Sequence, residues 1–335
     1  MNPEAVARRV AETAYGLKLT EPPRPSIDGR VNLTFFLATA TGPFVLQRLH
    51  PIFGTDGAVV ENMAAVAEAL AGAGLPAPRV ARTVSGRLWA RDGGLWRLSL
   101  RLPGTAGEDR TPERVGEAAR FLARFHQVLA GVPLDLRPLP LAEHNRNGPS
   151  PPDIWQGLED LYRGSDRFGP AAPALARGRA LAEAAPSIPM VTQAVLHGDP
   201  KMENFLFDGR GRLTGLIDLD TVRRGPLLWE MADALRSWAG LRQAGDEVVL
   251  DAAVFEAAIS SYRRHGPALT VEEWRILPAV VGVRALELAR RYLMDYFEES
   301  YFAWDRRRYA SLAEQNLIRG RGLLRLVADL FPGTT

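Results

Sequence analysis

Apolar and polar positions partly alternate along Val31–Leu37 and again along Phe44–Leu49, on either side of Thr39-Ala40-Thr41-Gly42. A period of two flanking a turn sequence predicts a β-hairpin that buries one face. Over residues 56–71 the period changes. Val59, Val60, Met63, Val66, Ala67 and Leu70 fall on one stripe at helical spacing, and Gly72 and Gly74 end it. Two further strands are predicted at Gly86–Ala90 and Leu95–Leu102, joined by Arg91-Asp92-Gly93-Gly94. A short helix over residues 1–18 and the proline-rich connector Glu21-Pro22-Pro23-Arg24-Pro25 precede this set. The pattern describes a small lobe, residues 1–103, built mainly on an antiparallel sheet with one key helix.

The pattern shifts at Pro103-Gly104-Thr105-Ala106-Gly107. Beyond it Thr111 is placed to cap a helix with Pro112 in its first turn. Val115, Ala118, Ala119, Leu122, Phe125, His126 and Leu129 form one face of that helix, where His126 reads as a core histidine. Residues 131–152 are proline-rich and irregular, and more helix follows to about Ala185. Strand-like pieces at Ala194–Leu196, Asn204–Phe207 and Leu213–Ile217 interrupt the helices, with Asp208-Gly209-Arg210-Gly211 as a turn between the last two. From Leu227 to Leu330 the pattern is again mostly helical, and Pro278 predicts a helix start or bend. The chain therefore reads as α+β and bilobal, residues 104–335 forming a larger, mostly α-helical lobe with a small β insert.

Composition narrows the function. The 335 residues are 46% hydrophobic, enough to bury a core in each of two lobes. Lys+Arg 41 against Asp+Glu 39 leave a net charge of +2, which argues against a bulk nucleic-acid or polyanion binder. With no cysteine, disulfides, thiolate metal sites and cysteine nucleophiles are excluded. No apolar run approaches the ~18 residues of a membrane span. Met1–Val10 carries Glu4, Arg8 and Arg9 where a signal peptide would be apolar. A cytoplasmic protein, monomer or homodimer, is expected, without nucleic-acid or membrane partners. Lys18 and Lys201 are the only lysines, so Lys201 is informative by its rarity.

Lys201 lies where polar residues concentrate. The segment His197-Gly198-Asp199-Pro200-Lys201-Met202-Glu203-Asn204 runs between apolar pieces, and Leu216-Ile217-Asp218-Leu219-Asp220-Thr221 follows the turn. Two surface turns would also be rich in Asp, Asn and Gly. Fixed offsets argue otherwise: an acid, a cation two on, an amide five on, then an acid ending the next strand. Phosphoryl transfer needs these parts. A carboxylate accepts the acceptor hydroxyl's proton, an amide and a second carboxylate hold Mg²⁺ on the nucleotide, and a cation offsets charge on the moving group. The offsets match a kinase catalytic loop and its metal-binding Asp. His197 reads as a brace for this loop. There is no Walker sequence, nucleophile elbow or dinucleotide fingerprint.

These residues resemble the protein-kinase-like small-molecule phosphotransferases, the aminoglycoside phosphotransferase and choline kinase group. Their His-Gly-Asp with Asn five residues after the Asp is matched by His197-Gly198-Asp199 and Asn204, and their metal-binding segment by Ile217-Asp218-Leu219-Asp220. The resemblance implies a kinase-like fold, ATP and Mg²⁺, Asp199 as catalytic base, Asn204 and Asp218 as metal ligands, and Lys201 reaching the transferred phosphate. Asp220 could replace or supplement Asp218. Ile-Asp-Leu-Asp-Thr-Val, then Asp233-Ala234-Leu235-Arg236, and Arg291-Tyr292-Leu293-Met294-Asp295-Tyr296 with Tyr301-Phe302 look closest to the N-acetylhexosamine 1-kinase type. Gly198 stands where that subgroup often has Asn, and Glu230 where the wider family usually has Asp.

The small lobe adds weaker signals. Gly29 and Asn32, in Asp28–Asn32, precede a strand and suit a loop over the phosphates. Arg48 in an apolar strand and Glu61 in the following helix suit the strand cation and helix carboxylate that grip nucleotide phosphates. Adenine is expected at the inter-lobe hinge, against backbone groups near Leu100–Leu102. Acceptor candidates are Asp233, Arg236, Arg291, Asp295, Tyr296 and Tyr301. Arg306-Arg307-Arg308 reads as a solvated helix face. Basic and acidic residues nearly balance over 271–335, which does not advertise a cleft for polycationic aminoglycosides, while Trp229, Trp238, Tyr292 and Trp304 keep a choline-like acceptor open. The favoured reading is an ATP-dependent kinase of a sugar hydroxyl. An antibiotic or amino-alcohol kinase is the alternative, and a silent nucleotide-binding regulator the outside one.

Overall fold

The computed structural model describes residues 2–26, 31–140, 150–189, 191–239, 242–244 and 247–331. Helix α1 (Pro3–Tyr15) starts on an Asn2 cap, and strands β1 (Arg24–Pro25), β2 (Leu33–Thr39) and β3 (Gly42–Leu49) follow. After α2 (Ala58–Gly72) come β4 (Val80–Ala81), β5 (Ala90–Arg91) and β6 (Leu95–Leu100). The order is β1-β2-β3-β6-β4, with β5 also on β6, and every pairing is antiparallel. Alternation in β2, β3 and β6 sends Phe35, Leu37, Phe44, Leu46, Trp96 and Leu98 to one face, where Ala7, Val10, Ala11 and Tyr15 of α1 cover them. The strand predicted at Gly86–Ala90 shrinks to β5, and β6 ends two residues before Leu102.

The single stripe of α2 serves two cores. Val59 and Val60 pack on Leu49, Phe53 and Leu95 below the sheet. Met63, Val66, Ala67 and Leu70 join the large core with Val115 and Leu122.

Strand β7 (Thr105–Ala106) leads to α3 (Pro112–Ala130), whose cap is Thr111 and whose buried face is the one the periodicity predicts. Helices α4 (Pro152–Tyr162) and α5 (Phe168–Glu183) follow. The insert is then β8 (Gln193–Leu196), β9 (Phe205–Phe207), β10 (Leu213–Leu216) and β11 (Arg223–Pro226). Strands β9 and β10 form a hairpin that β7 joins, while β8 pairs β11 with Leu196 opposite Arg223. Helix α6 (Leu227–Trp238), the hairpin β12 (Arg242–Ala244) and β13 (Glu247–Val249), then α7 (Ala252–His265), α8 (Val271–Glu298) and α9 (Leu312–Leu330) complete the chain. Pro278 does not start α8: a capping box at Thr270 and Glu273 does, and the helix runs on through the proline. Arg306–Arg308 are exposed but lie in a turn between α8 and α9, not on a helix. Among the described residues no helix is long and apolar enough to cross a membrane.

Candidate active site

The β insert turns the sequence motif into a cluster. Strand β8 delivers His197 at its end, and Glu230 on α6 receives the loop: its Oε1 accepts from His197 N at 2.6 Å and its Oε2 from Gly198 N at 3.0 Å. The His197 ring donates from Nε2 to the Ile217 carbonyl at 2.9 Å and accepts the Asp199 N–H on Nδ1 at 3.2 Å. It thereby ties the two chemistry-bearing loops together. Glu230 is buried, yet the neighbouring His126 and His197 and the Gly198 N–H hold its pKa below the ordinary value against that burial. His126 itself is buried, with Nδ1 2.7 Å from Tyr262 Oη and Nε2 3.4 Å from Glu230.

Asp199, Lys201, Asn204 and Asp218 meet in one place. Lys201 Nζ lies 2.5 Å from Asp199 Oδ2 and 3.9 Å from Asp218 Oδ2, and Asn204 Nδ2 donates to the Asp199 carbonyl at 2.7 Å. Burial works against the Lys201 ammonium, but the charges of Asp199 and Asp218 outweigh it and keep its pKa above the ordinary lysine value. Burial and the carboxylates of Asp220 and Asp199 push Asp218 up to about 6. Asp218 has φ 65°, a left-handed conformation that a side chain adopts at a cost. Gly198 has φ 87°, and a Cβ there would stand 2.5 Å from the Thr221 carbonyl oxygen. Glycine is therefore required at this position in this chain. Gly198→Ala is expected to lose about 1–2 kcal/mol from the left-handed backbone alone, read by urea unfolding; an unchanged midpoint would refute this account.

Asp220 is not part of that open cluster. It is buried, paired with Arg97 on β6, and its Oδ2 accepts from Asn32 Nδ2 at 2.7 Å. Its two oxygens are engaged by Arg97 of β6 and by Asn32, just before β2, which argues against the metal-ligand role considered for Asp220. Asn32 is likewise engaged: its Nδ2 donates to Asp220 and its Oδ1 receives the His50 N–H at 2.9 Å, which fixes the amide between the sheet and the insert. Gly29 lies outside the described residues. Arg48 and Glu61 do not meet. Arg48 is exposed and donates to the Gly93 carbonyl, while Glu61 binds Arg137 at 2.7 Å. The buried cation facing the cleft is instead Arg97, held by Gln47 Oε1 at 2.7–3.0 Å. At the hinge, Leu100 N–H is spent on the Arg79 carbonyl at 3.0 Å. Leu102 makes no backbone hydrogen bond with any described residue, so both its N–H and its carbonyl are free of main-chain partners there.

The acceptor candidates divide. Asp233 accepts from Arg236 Nη2 at 2.8 Å and lies 3.0 Å from Arg284 on α8. Although burial opposes it, those two guanidinium groups hold the Asp233 carboxyl well below the usual range. Arg291 is on the same α8 face as Arg284, within electrostatic range of Asp233 and Tyr301. Asp295 is structural: it is buried and accepts the backbone N–H groups of Ser300, Tyr301 and Phe302 at 2.7–3.0 Å. Tyr296 is buried too, its hydroxyl donating to the Arg167 carbonyl at 3.1 Å. Tyr301 is exposed. Of the aromatics that kept a choline-like acceptor open, Trp229 and Trp238 are core residues with Arg284 over the Trp229 ring at 5.0 Å, Tyr292 stacks on Phe302, and Arg306 lies over the Trp304 ring at 4.8 Å.

Residues 24–267 match the model of a family described as phosphotransferase enzyme family. The chain belongs to that family. It is thus a phosphotransferase with the α+β, bilobal, kinase-like fold. Solved structures agree on the fold. Amicoumacin kinase hAmiN in complex with AMP-PNP, Ca²⁺ and Ami has a TM-score of 0.68 at 16% identity, over 99% of this chain and 96% of that one. A spectinomycin phosphotransferase in complex with ADP and its antibiotic has 0.56 at 8% identity, over 98% of each chain. The macrolide 2'-phosphotransferase MphH from Brachybacterium faecium has 0.54 at 16% identity, over 94% and 97%. These are antibiotic kinases, so closeness to the sugar kinases rests on the sequence resemblance alone.

For this phosphotransferase the sequence reading passed over Arg97, Arg223 and Arg284. Each had one visible signal, a charge inside or beside an apolar run (Leu95–Leu102, Val222–Leu228, Val280–Leu288). Asp220, the partner of Arg97, and Asp233, that of Arg284, are remote in sequence, and two Arg223 nitrogens are buried without a hydrogen-bond partner, so nothing local distinguished the three from solvent-facing arginines.

Proposed function

We propose that this phosphotransferase moves the γ-phosphate of ATP to a hydroxyl of a polyhydroxylated small molecule. The observation that carries the reading is the meeting of Asp199, Lys201, Asn204 and Asp218 on one braced pair of loops. Asp199 accepts the hydroxyl proton as the acceptor oxygen attacks the γ-phosphorus. The bond to the bridging oxygen breaks and ADP leaves, without a phosphoenzyme. Lys201 offsets charge on the moving phosphoryl group, and Leu102 offers main-chain groups to adenine. Positioning and electrostatics supply most of the rate, because a loose transition state leaves little covalent work.

Among the described residues no three His, Cys, Asp or Glu side chains form a ready-made metal cage. That suits Mg²⁺, which keeps several waters and takes one or two protein ligands beside nucleotide phosphates. Burial first, and then the carboxylates of Asp220 and Asp199, disfavour the Asp218 charge, and a cation would relieve both, so Asn204 and Asp218 would hold the ion. When bound, Mg²⁺ supplies charge neutralisation on the phosphates. Because Asp218 titrates near 6 before metal binds, it is protonated below that pH and must lose its proton to ligate. Mg²⁺ affinity is therefore expected to fall as pH drops from 7 to 5, with proton release on binding near pH 6. Calorimetric titration in buffers of different ionisation enthalpy measures both, and a pH-independent affinity would contradict the assignment.

The antibiotic kinases among the solved structures favour a natural-product acceptor of that kind. Phosphorylation of the anomeric hydroxyl of a hexose or N-acetylhexosamine is the second reading, supported by the clustering of Asp233, Arg236 and Arg291 about Arg284. A silent nucleotide-binding role is disfavoured because such a module has no use for Asp199. The test is ADP release with ATP and Mg²⁺ over sugars, aminoglycosides, macrolides and choline-like alcohols. Acceptor-dependent ADP release is expected. None with any hydroxyl acceptor would count for the silent reading, and activity confined to aminoglycosides would end the sugar reading.

A further inference from the structure

Four arginines crowd the acceptor side of the site, and among the described residues Asp233 is the one carboxylate bonded to any of them. Arg236 and Arg284 share Asp233, whose Oδ1 accepts from Arg236 Nε at 3.0 Å and Nη2 at 2.8 Å and whose Oδ2 lies 3.0 Å from Arg284 Nη2. Arg223 stands on β11 opposite Leu196, the residue that leads into the His197–Lys201 loop. Its Nε and Nη1 are shut off from solvent and have no hydrogen-bond partner. Arg291, two helical turns beyond Arg284, makes no hydrogen bond or ion pair with any described residue and has Arg236 and Arg284 as like charges nearby. Burial holds the guanidinium pKa of both Arg223 and Arg291 below the ordinary arginine value, against the pull of Glu230 and Asp233 on Arg223 and of Tyr301 and Asp233 on Arg291, with Arg284 near both and Arg236 near Arg291 adding to the lowering.

The other acids facing the cluster are already engaged. Glu230 is bound by the N–H groups of His197 and Gly198, and Glu287 Oε1 by Ser150 N at 2.5 Å. Arg223, paired across β11 and β8 with Leu196, ties the cluster to the strand that leads into the Asp199 loop, and the charge of Asp199 is the last of several that act on Arg284. Guanidinium groups withdrawn from water without a counter-charge cost free energy that an anion in their midst recovers. Their planar donor forks fit carboxylate and phosphate oxygens in pairs.

We propose that the acceptor carries, besides the hydroxyl that is phosphorylated, an anionic group, a carboxylate or a phosphate ester, received by Arg223, Arg284 and Arg291. This rests on the phosphotransferase reading above and deepens it by naming the acceptor's charge. A polycationic acceptor would be repelled from the same face.

The experiment uses probes that differ in charge on one scaffold: glucose, glucuronate and a glucose monophosphate, then glycerol, glycerate and glycerol phosphate, with kanamycin as the polycation. Each is titrated calorimetrically into the full-length protein with Mg²⁺ and ADP, and ADP release from ATP is followed in parallel. At least one anionic probe is expected to bind about tenfold or more tightly than its neutral counterpart. Comparing the carboxylate arm with the phosphate arm tells the two sources apart. R223Q and R291Q, with folding checked by circular dichroism, are each expected to erase most of that ratio, and R223K and R291K to restore part of it. No anionic probe preferred over its neutral counterpart, kanamycin bound best, or a ratio that survives in both glutamine variants would each overturn the proposal. An Asp199→Asn control separates the two claims. Absent anion preference with Asp199-dependent ADP release intact removes only the acceptor's charge, whereas ADP release unchanged by Asp199→Asn removes the underlying reaction.

Discussion

Asp199→Asn is expected to lower acceptor-dependent ADP release by about 10²–10⁴-fold, the range a positioned general base contributes. The substitution keeps the size of the side chain and an oxygen that can face Lys201 Nζ, 2.5 Å away in the native pair. It removes the proton acceptor and half of the charge that holds Lys201 in place. Nucleotide affinity should change little, since neither the hinge at Leu102 nor the Asn204 and Asp218 side chains are altered. Single-turnover transfer with ATP in excess, beside a binding measurement for ADP, distinguishes lost chemistry from lost binding. Turnover within about threefold of wild type would mean that the proton goes elsewhere, because a group worth 10²-fold or more cannot be removed so cheaply.

The largest expected effect on stability comes from the pair that ties sheet to insert. Asp220→Asn leaves the buried Arg97 guanidinium without its counter-charge, and unfolding free energy is expected to drop by about 3–5 kcal/mol, the usual cost of breaking such a pair from one side. Replacing both, as Arg97→Met with Asp220→Leu, should recover most of that loss, because the penalty lies in the orphaned charge. Urea unfolding of Arg97→Met, Asp220→Leu and the double variant completes the cycle, and a loss below about 1 kcal/mol for Asp220→Asn, measured beside them, would contradict a buried pair of this kind. The same variants decide what Asp220 does. If it serves the tertiary contact, the double variant keeps Mg²⁺ affinity. If it ligates metal, that variant is stable but binds Mg²⁺ about as poorly as Asp218→Asn.

The stability cycle and the activity loss come from residues of different legibility. Asp199, Lys201, Asn204 and Asp218 were readable because they lie within twenty residues on two tight loops, where sequence spacing is nearly the same as spatial spacing. Backbone geometry in a loop–hairpin–loop leaves few ways to arrange them, and the structure brings them together as read. The fold class was readable for a similar reason. Periods of two and of 3.6 report which face each element buries, and α3 buries the face its sequence advertised. Thr111, Pro112 and the hairpin turn after Thr39 are local signals of the same kind.

What lay beyond the sequence was the choice of partner across elements. Arg48 and Arg97 sit on neighbouring strands and look alike as isolated charges in apolar runs. Register separates them: Gln47 pairs with Arg97 and Arg48 with Trp96, so the two arginines occupy opposite faces of the same sheet. Only the face bearing Arg97 looks toward Asp220. Asp295 and Tyr296 failed as acceptor groups for the same reason, since it took the return of the chain after α8, and the packing of α5 beside it, to spend their polar atoms on backbone. The amino-acid order by itself thus determined the elements, their buried faces and the chemistry of the two loops, all of which depend on interactions between near neighbours. Tertiary structure alone decided which charges are satisfied and which are left facing the acceptor side, because a charge is paired or orphaned by groups that chain separation places anywhere until the sheet register and helix packing are fixed.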